Sequence, residues 1–249
     1  MSYSLNDPNT GTTSRVVGTN SAGNGAYLDQ IVITKGHARY TSNYTPECLT
    51  SGTDALDAYV VMRLRFEGAD GNTTITDDKG HSITNAGSNQ IKTDQFVCGA
   101  SAVKMTGGAL TFTYSSDWNF GAGDFCIEAR LRFHNIALTD YEADINLLGI
   151  YDDTSPYGGY RFVLGTDPDL EEVSLLGFVK HGVAVIISAA IAPLSQNTWY
   201  SFAVSRESGV FRLFLDGELI AEVDTSSSSF SLVEIGTVTN GQFDFALIP

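Results

Sequence analysis

The chain has 249 residues, of which 43% are hydrophobic and 17% charged, and its 29 acidic against 14 basic side chains leave a net charge of −15. That balance argues against a nucleic acid or an anionic membrane as partner, because both attract Lys/Arg-rich surfaces. No apolar run approaches the ~20 residues of a spanning helix. The polar start MSYSLNDPNTGTTS lacks a basic region leading into an apolar stretch, so no secretory signal is expected. Cys48, Cys98 and Cys126 are odd in number and far apart; they form neither a disulfide framework nor a CxxC metal pair, and a reduced protein is expected.

Residues 1–24 are rich in Gly, Ser, Thr and Asn, with Arg15-Val16-Val17 as the only apolar focus. Ala26–Thr34 reads as a β-branched strand stopped by Lys35-Gly36, and the turn-rich stretch 41–58, holding Pro46, reads as a linker. From Tyr59 onward short apolar runs recur about every ten residues. In Cys126–Phe133, Ile127, Ala129, Leu131 and Phe133 share one face, and Glu128, Arg130 and Arg132 the other. Phe202 and Val204, then Phe211, Leu213 and Leu215, alternate in the same way. Ser208-Gly209, Asp216-Gly217 and Asn240-Gly241 supply hairpin turn signals. The best helical candidate, Ala137–Asn146, is short. The expected fold is therefore all-β, a two-sheet antiparallel sandwich.

Two stretches go beyond pattern. Asn119-Phe120-Gly121-Ala122-Gly123-Asp124-Phe125-Cys126-Ile127-Glu128 and the pair Trp199–Arg206 and Phe211–Gly217 resemble strands of laminin-G-like, concanavalin-A-like jelly-roll domains. Leu64–Gly71 is similar to the first strand of such domains, so the resemblance spans about 59–249. A second resemblance lies upstream. Tyr27–Pro46 (YLDQIVITKGHARYTSNYTP) is similar to the segment that ends a laminin-G-like repeat in bacteriophage virion and tail-fibre proteins, and Asn240–Pro249 looks like an eroded copy of it.

The expected organisation is an extended N-terminal arm at 1–46, a linker at 47–58 and a jelly-roll sandwich at 59–249. Three placements fit the arm: packed beside the sandwich, closing it in cis, or added to a neighbouring subunit's sheet edge. Its assembly residues would be Tyr27, Ile31, Ile33, Arg39, Tyr40 and Tyr44. The resemblance implies a structural virion protein (capsid decoration, or head or tail fibre). Its partners would be other virion proteins and copies of itself, without nucleic acid or membrane. It would be assembled in the host cytoplasm. The alternative is a glycan-binding adhesion module for host surface carbohydrate, with Tyr151, Tyr157 and Tyr160 as a stacking platform.

Catalysis is not expected. Retaining glucanases of this fold carry E-x-D-x-x-E with paired carboxylates, whereas here Glu142-Ala143-Asp144 is followed by Leu147 in the third position. His37, His81, His134 and His181 are scattered, and no catalytic residue is assigned. No cofactor is expected apart from Ca²⁺, for which the acidic loops of 140–172 offer Asp152, Asp153, Asp167 and Asp169.

Overall fold

The structure is a computed structural model. It describes residues 26–49, 52, 54–106, 109–113, 115–134, 145–152, 158–167, 172–180, 184–226 and 240–243. In chain order the strands are β1 (Ala26–Lys35), β2 (Val60–Leu64), β3 (Ile83–Asn85), β4 (Gln90–Lys92), β5 (Ala102–Met105), β6 (Leu110–Thr113), β7 (Phe125–Phe133) and β8 (Ile145–Asp152). They continue with β9 (Gly158–Asp167), β10 (Glu172–Lys180), β11 (Ala184–Ala190), β12 (Trp199–Glu207), β13 (Val210–Leu215), β14 (Glu218–Asp224) and β15 (Asn240–Phe243). The expected helix at Ala137–Asn146 lies mostly outside the described residues, and its last two positions begin β8.

One sheet has the order β14-β13-β12-β7-β1-β5-β4 with β2 also paired to β1; the other runs β11-β10-β9-β8-β15-β6-β3. The named strand pairs are antiparallel. The two sheets face each other across one core, which takes Ile127, Ala129, Leu131 and Phe133 from β7, Phe202 and Val204 from β12, and Tyr160, Phe162 and Phe178 from the second sheet. The period-two faces read from the sequence are those observed. This is the jelly-roll-like antiparallel sandwich expected.

The boundary at 46 needs correcting. β1 pairs β7 along its length on one side, and on the other pairs β5 over Ala26–Leu28 and β2 over Ile31–Thr34. It is an interior strand of the first sheet, so the sandwich includes 26–35 and closes in cis. Tyr27, Ile31 and Ile33, expected as assembly residues, are buried within this one chain. The physical reason is a single extra residue. Ala26 and Leu28 face the core, and strict alternation would send Gln30 and Val32 after them. Gln30 instead takes a left-handed backbone (φ 61°) at a register shift, which returns Ile31 and Ile33 to the core face.

The second sheet also corrects a repeat. Asn240-Gly241, expected as a turn, lies inside β15, which pairs β6 and β8. The sequence copy of β1 therefore occupies a different sheet. Residues 244–249 of that copy lie outside the described residues.

Candidate functional site

The segment after β1 is a strap, and it lies over the outer face of the first sheet. Gly36 (φ +81°) turns the chain and donates its N–H to the Asp124 carbonyl at 2.7 Å. Tyr40 and Tyr44 then stack with ring centres 3.5 Å apart, and both meet Phe214 edge-on. The strap's far side is pinned to the β13–β14 turn. Tyr44 N–H donates to the Gly217 carbonyl at 2.8 Å, and Leu219 N–H donates to Asn43 Oδ1 at 2.9 Å. A Cβ on Gly217 would sit 1.9 Å from the Tyr44 carbonyl oxygen, so the close approach requires glycine there. The described residues of 41–58, a stretch expected as a linker, thus include parts of the packed structure: 43–44 on the β13–β14 turn and 54 beneath the strap.

Beneath the strap lies a polar layer, which includes Glu128 from the second face of β7. Glu128 is buried, and the Tyr40 hydroxyl donates to its Oε2 at 2.8 Å. Burial raises the Glu128 carboxyl from 4.5 to about 7, against the opposing pull of Arg39 and the Tyr40 hydrogen bond. Burial also pushes the Tyr40 phenol and the Cys126 thiol up, with the nearby Glu128 adding to both. Arg39 donates through Nε to Thr34 Oγ1 at 2.7 Å and through both terminal nitrogens to Asp54, at 3.0 and 2.6 Å. Arg63, fully buried, reaches the same Asp54 at 2.9 Å and also holds Asp57. Burial works to raise the Asp54 carboxyl, but hydrogen bonding by Arg39 and the two guanidinium charges hold it below its ordinary value. Lys79 closes the row on Asp57.

Neighbouring positions on β1 hold the strap's other limb. The Gln30 side-chain amide donates to the Leu49 carbonyl at 2.6 Å and accepts from the Leu49 N–H at 2.8 Å. Asp29 accepts from the N–H groups of Val97 and Cys98, each at 2.6 Å, and burial raises its carboxyl from 3.8 to about 6. Cys48 and Cys98 are joined by a disulfide with their Cα atoms 5.5 Å apart, which corrects the expectation of reduced, unpaired cysteines. A separation of 50 residues hides this pairing in the sequence, and the β1 bulge brings the two segments together. Cys126 is free and buried. Between the limbs opens a cleft of about 620 Å³ lined by Arg39, Tyr40, Tyr44, Glu47, Asp54 and their neighbours.

The other sequence-predicted sites lie only in part among the described residues. Asp152 is opposite Gly158 at the start of β9, and Asp167 is the last residue of β9, opposite Glu172. Nine residue steps of strand separate these two backbone positions by roughly 30 Å. Asp153 and Asp169 lie outside the described residues. Among the described residues no group of three or more His, Cys, Asp and Glu is placed to hold a metal ion. Tyr160 is a core residue, 1% exposed, stacked on Phe120 and donating to the Trp118 carbonyl, so it is no sugar platform. Tyr151 pairs in register with Gly159, one position out of phase with Tyr160, and Tyr157 lies outside the described residues. Glu142 and Asp144 also lie outside them, and Leu147 is buried in the core.

Sequence reasoning missed Glu128, Asp54, Arg63 and Asp29. Their signal was a mixed face: Cys126, Ala203 and Phe214 are buried on the same outer side as Glu128, and purely solvated strand faces rarely carry such residues. It also missed His81, whose ring nitrogens contact Asp77 at 2.6 Å and Asp117 at 3.1 Å while the ring packs on Trp118.

No protein-family description matches the chain, and no curated protein matches it. Among solved structures, the binding domain of botulinum neurotoxin serotype G is similar over 76% of this chain at 13% identity and a TM-score of 0.47. The present chain covers 47% of that domain's length. A glycosyl hydrolase family 16 protein from Mycobacterium smegmatis str. MC2 155 is similar over 86% of this chain and 85% of its own, at 16% identity and a TM-score of 0.28. Likenesses at these levels carry no functional argument.

Proposed function

We propose that this chain is a structural subunit of a bacteriophage particle, a capsid decoration or a head or tail fibre component, that works by protein–protein assembly. The observation carrying this reading is the use of its charged groups beneath and beside the strap. Asp54 is shared by two arginines, Asp57 is held by Arg63 and Lys79, and Glu128 is capped by Tyr40. Carboxylates engaged in this way stiffen a scaffold; catalysis requires such groups to face a substrate. The segment that resembles the end of a phage laminin-G-like repeat is the one supplying Arg39, Tyr40 and Tyr44 to that network. The reading therefore places binding on the outside of a rigid sandwich, with other virion proteins and further copies of the chain as partners. The test is to purify particles from the host that encodes the chain and to search them by mass spectrometry. Stoichiometric presence supports the reading, and absence from purified particles removes it.

A second reading, recognition of a host surface carbohydrate, is favoured by the cleft beside Tyr40 and Tyr44. The stacked Tyr40 and Tyr44 rings beside the exposed Glu47 carboxylate offer an apolar face and a polar partner for a sugar. A glycan array probed with the wild type and Tyr44→Ala separates the readings. Binding that is lost in the variant supports the second, and no bound glycan disposes of it.

A further inference from the structure

Most anchors of the strap are fixed partners, but the Cys48–Cys98 bond can be broken and remade by a small molecule. Its two ends differ in access: Cys48 is exposed and Cys98 is buried. Each end is also positioned by groups other than the bond itself. On the Cys98 side, Asp29 Oδ2 accepts from the N–H of Val97 and of Cys98, and Glu67 accepts from the Ala100 N–H with both oxygens at 3.2 Å. Gly99 makes that turn (φ +69°), and a Cβ there would fall 1.4 Å from Glu67 Oε1. On the Cys48 side, the Gln30 amide forms its two hydrogen bonds with Leu49, the next residue along. Asp29 and Gln30 are consecutive at the β1 bulge, so one irregularity aims both cysteines. The strap is independently held at Thr34, Glu128 and Gly217.

We propose that Cys48 and Cys98 form a reversible dithiol–disulfide site, aligned by the Asp29–Gln30 bulge, that exchanges with small thiols of the glutathione class while the sandwich stays folded. The small thiolate attacks Sγ of Cys48, the sulfur of the exposed cysteine. The S–S bond breaks, its electron pair leaves on Sγ of Cys98, and a solvent proton neutralises it. A second small thiolate attacks the small molecule's own sulfur in the mixed disulfide, forming the small-molecule disulfide and releasing Cys48, which takes up a proton. Two small thiols are oxidised as one protein disulfide is reduced. The reverse sequence, with glutathione disulfide as oxidant, closes the bond. Pre-alignment raises the effective concentration of one cysteine at the other and so favours the closed form at any given thiol ratio. The site stands apart from a virion role. Under that role it closes on leaving a reducing cytoplasm.

The test equilibrates the full-length protein in buffers of graded glutathione to glutathione-disulfide ratio, quenches with acid, alkylates and reads each cysteine by mass spectrometry. Near-UV circular dichroism follows the fold in parallel. The expected result is a single two-electron transition of Cys48 and Cys98 at constant dichroism, with Cys126 unmodified. Gln30→Ala and Asp29→Ala each shift the midpoint at least tenfold toward reduction; if Asp29→Ala fails to fold, Gln30→Ala carries the comparison. In Cys98→Ser, glutathione disulfide modifies Cys48, whereas in Cys48→Ser the buried Cys98 resists modification. Reduction that occurs only with loss of the dichroism signal overturns the proposal. So does a Gln30→Ala midpoint equal to that of the wild type, or the absence of any disulfide in oxidising buffer.

Discussion

Glu128→Gln isolates the energetics of the layer under the strap. The carboxyl is raised from 4.5 to about 7, with burial as the largest cause. For an acid whose folded value lies above its unfolded value, the folded state binds more protons between the two. Stability is then fully present below about pH 4.5 and is lost as pH rises through about 7. A shift of this size corresponds to about 3 kcal/mol at 1.36 kcal/mol per unit. Glutamine keeps the shape and the acceptor for the Tyr40 hydroxyl but never has to carry charge. Asp29, also raised, contributes with the same sign between about pH 4 and 6, and it cancels when the two proteins are compared.

Urea unfolding of the wild type and Glu128→Gln at pH 4.5, 6, 7 and 8 measures the difference directly. The variant is expected to match the wild type near pH 4.5 and to gain progressively, approaching 3 kcal/mol by pH 8. The opposing term is Arg39, whose Nε lies 3.9 Å from Glu128 Oε2. Arg39 is already satisfied by Thr34 and Asp54, so its loss of attraction to residue 128 leaves no orphaned charge. A difference that is flat with pH would refute the argument. A variant less stable than the wild type at pH 8 would show that Glu128 is a paired carboxylate.

Three further outcomes follow from the same contacts. Gly217→Ala forces a Cβ against the Tyr44 carbonyl in a left-handed turn and is expected to cost about 2–3 kcal/mol. Gly71→Ala, at a similar φ of +79° with nothing within 4 Å of its Cβ, serves as the control at roughly 1 kcal/mol; equal shifts in thermal midpoint would remove the clash argument. Asp54→Asn leaves two buried guanidinium groups without their shared charge and is expected to destabilise by about 3–5 kcal/mol, and a denaturation midpoint like that of the wild type would refute the network. Deleting residues 1–46 removes β1 and is expected to abolish cooperative melting, whereas a sandwich that still melts in one transition would contradict the interior placement of that strand.

The architecture was legible wherever period two coincided with turn chemistry. Phe125–Phe133 and Trp199–Glu207 alternate cleanly, and Ser208-Gly209 and Asp216-Gly217 take the left-handed turns expected of them. Alternation shows that a strand has two unlike faces; it does not say what covers the more polar one. Glu128 therefore read only as a member of the polar face, whereas a strap from 88 residues upstream seals it. The bulge at Gln30 has no local signature, since a polar residue with φ of 61° is chosen by the pairing on both sides of β1. Without the bulge in view, the disulfide could not be read either, because Cys48 and Cys98 meet only where Asp29 and Gln30 hold the segments beside them.

The repeated pattern at Asn24–Thr34 and Asn240–Phe243 shows what specifies a place in this fold. Both copies offer Asn-Gly and an aromatic-bearing strand, yet one lies between β7 and the β2–β5 edge while the other lies between β6 and β8. Strand character alone does not discriminate between these slots, since backbone pairing is indifferent to which extended segment supplies it. What distinguishes β1 is its set of side-chain anchors. Gln30 meets Leu49 and Asp29 meets the Val97–Cys98 backbone, while Thr34 receives Arg39 and the following Tyr40 reaches Glu128 on β7. These contacts fix the register to one residue and join the strand to its strap. The segment thus encodes an address as well as a strand, and the address is written in Asp29, Gln30, Arg39 and Tyr40.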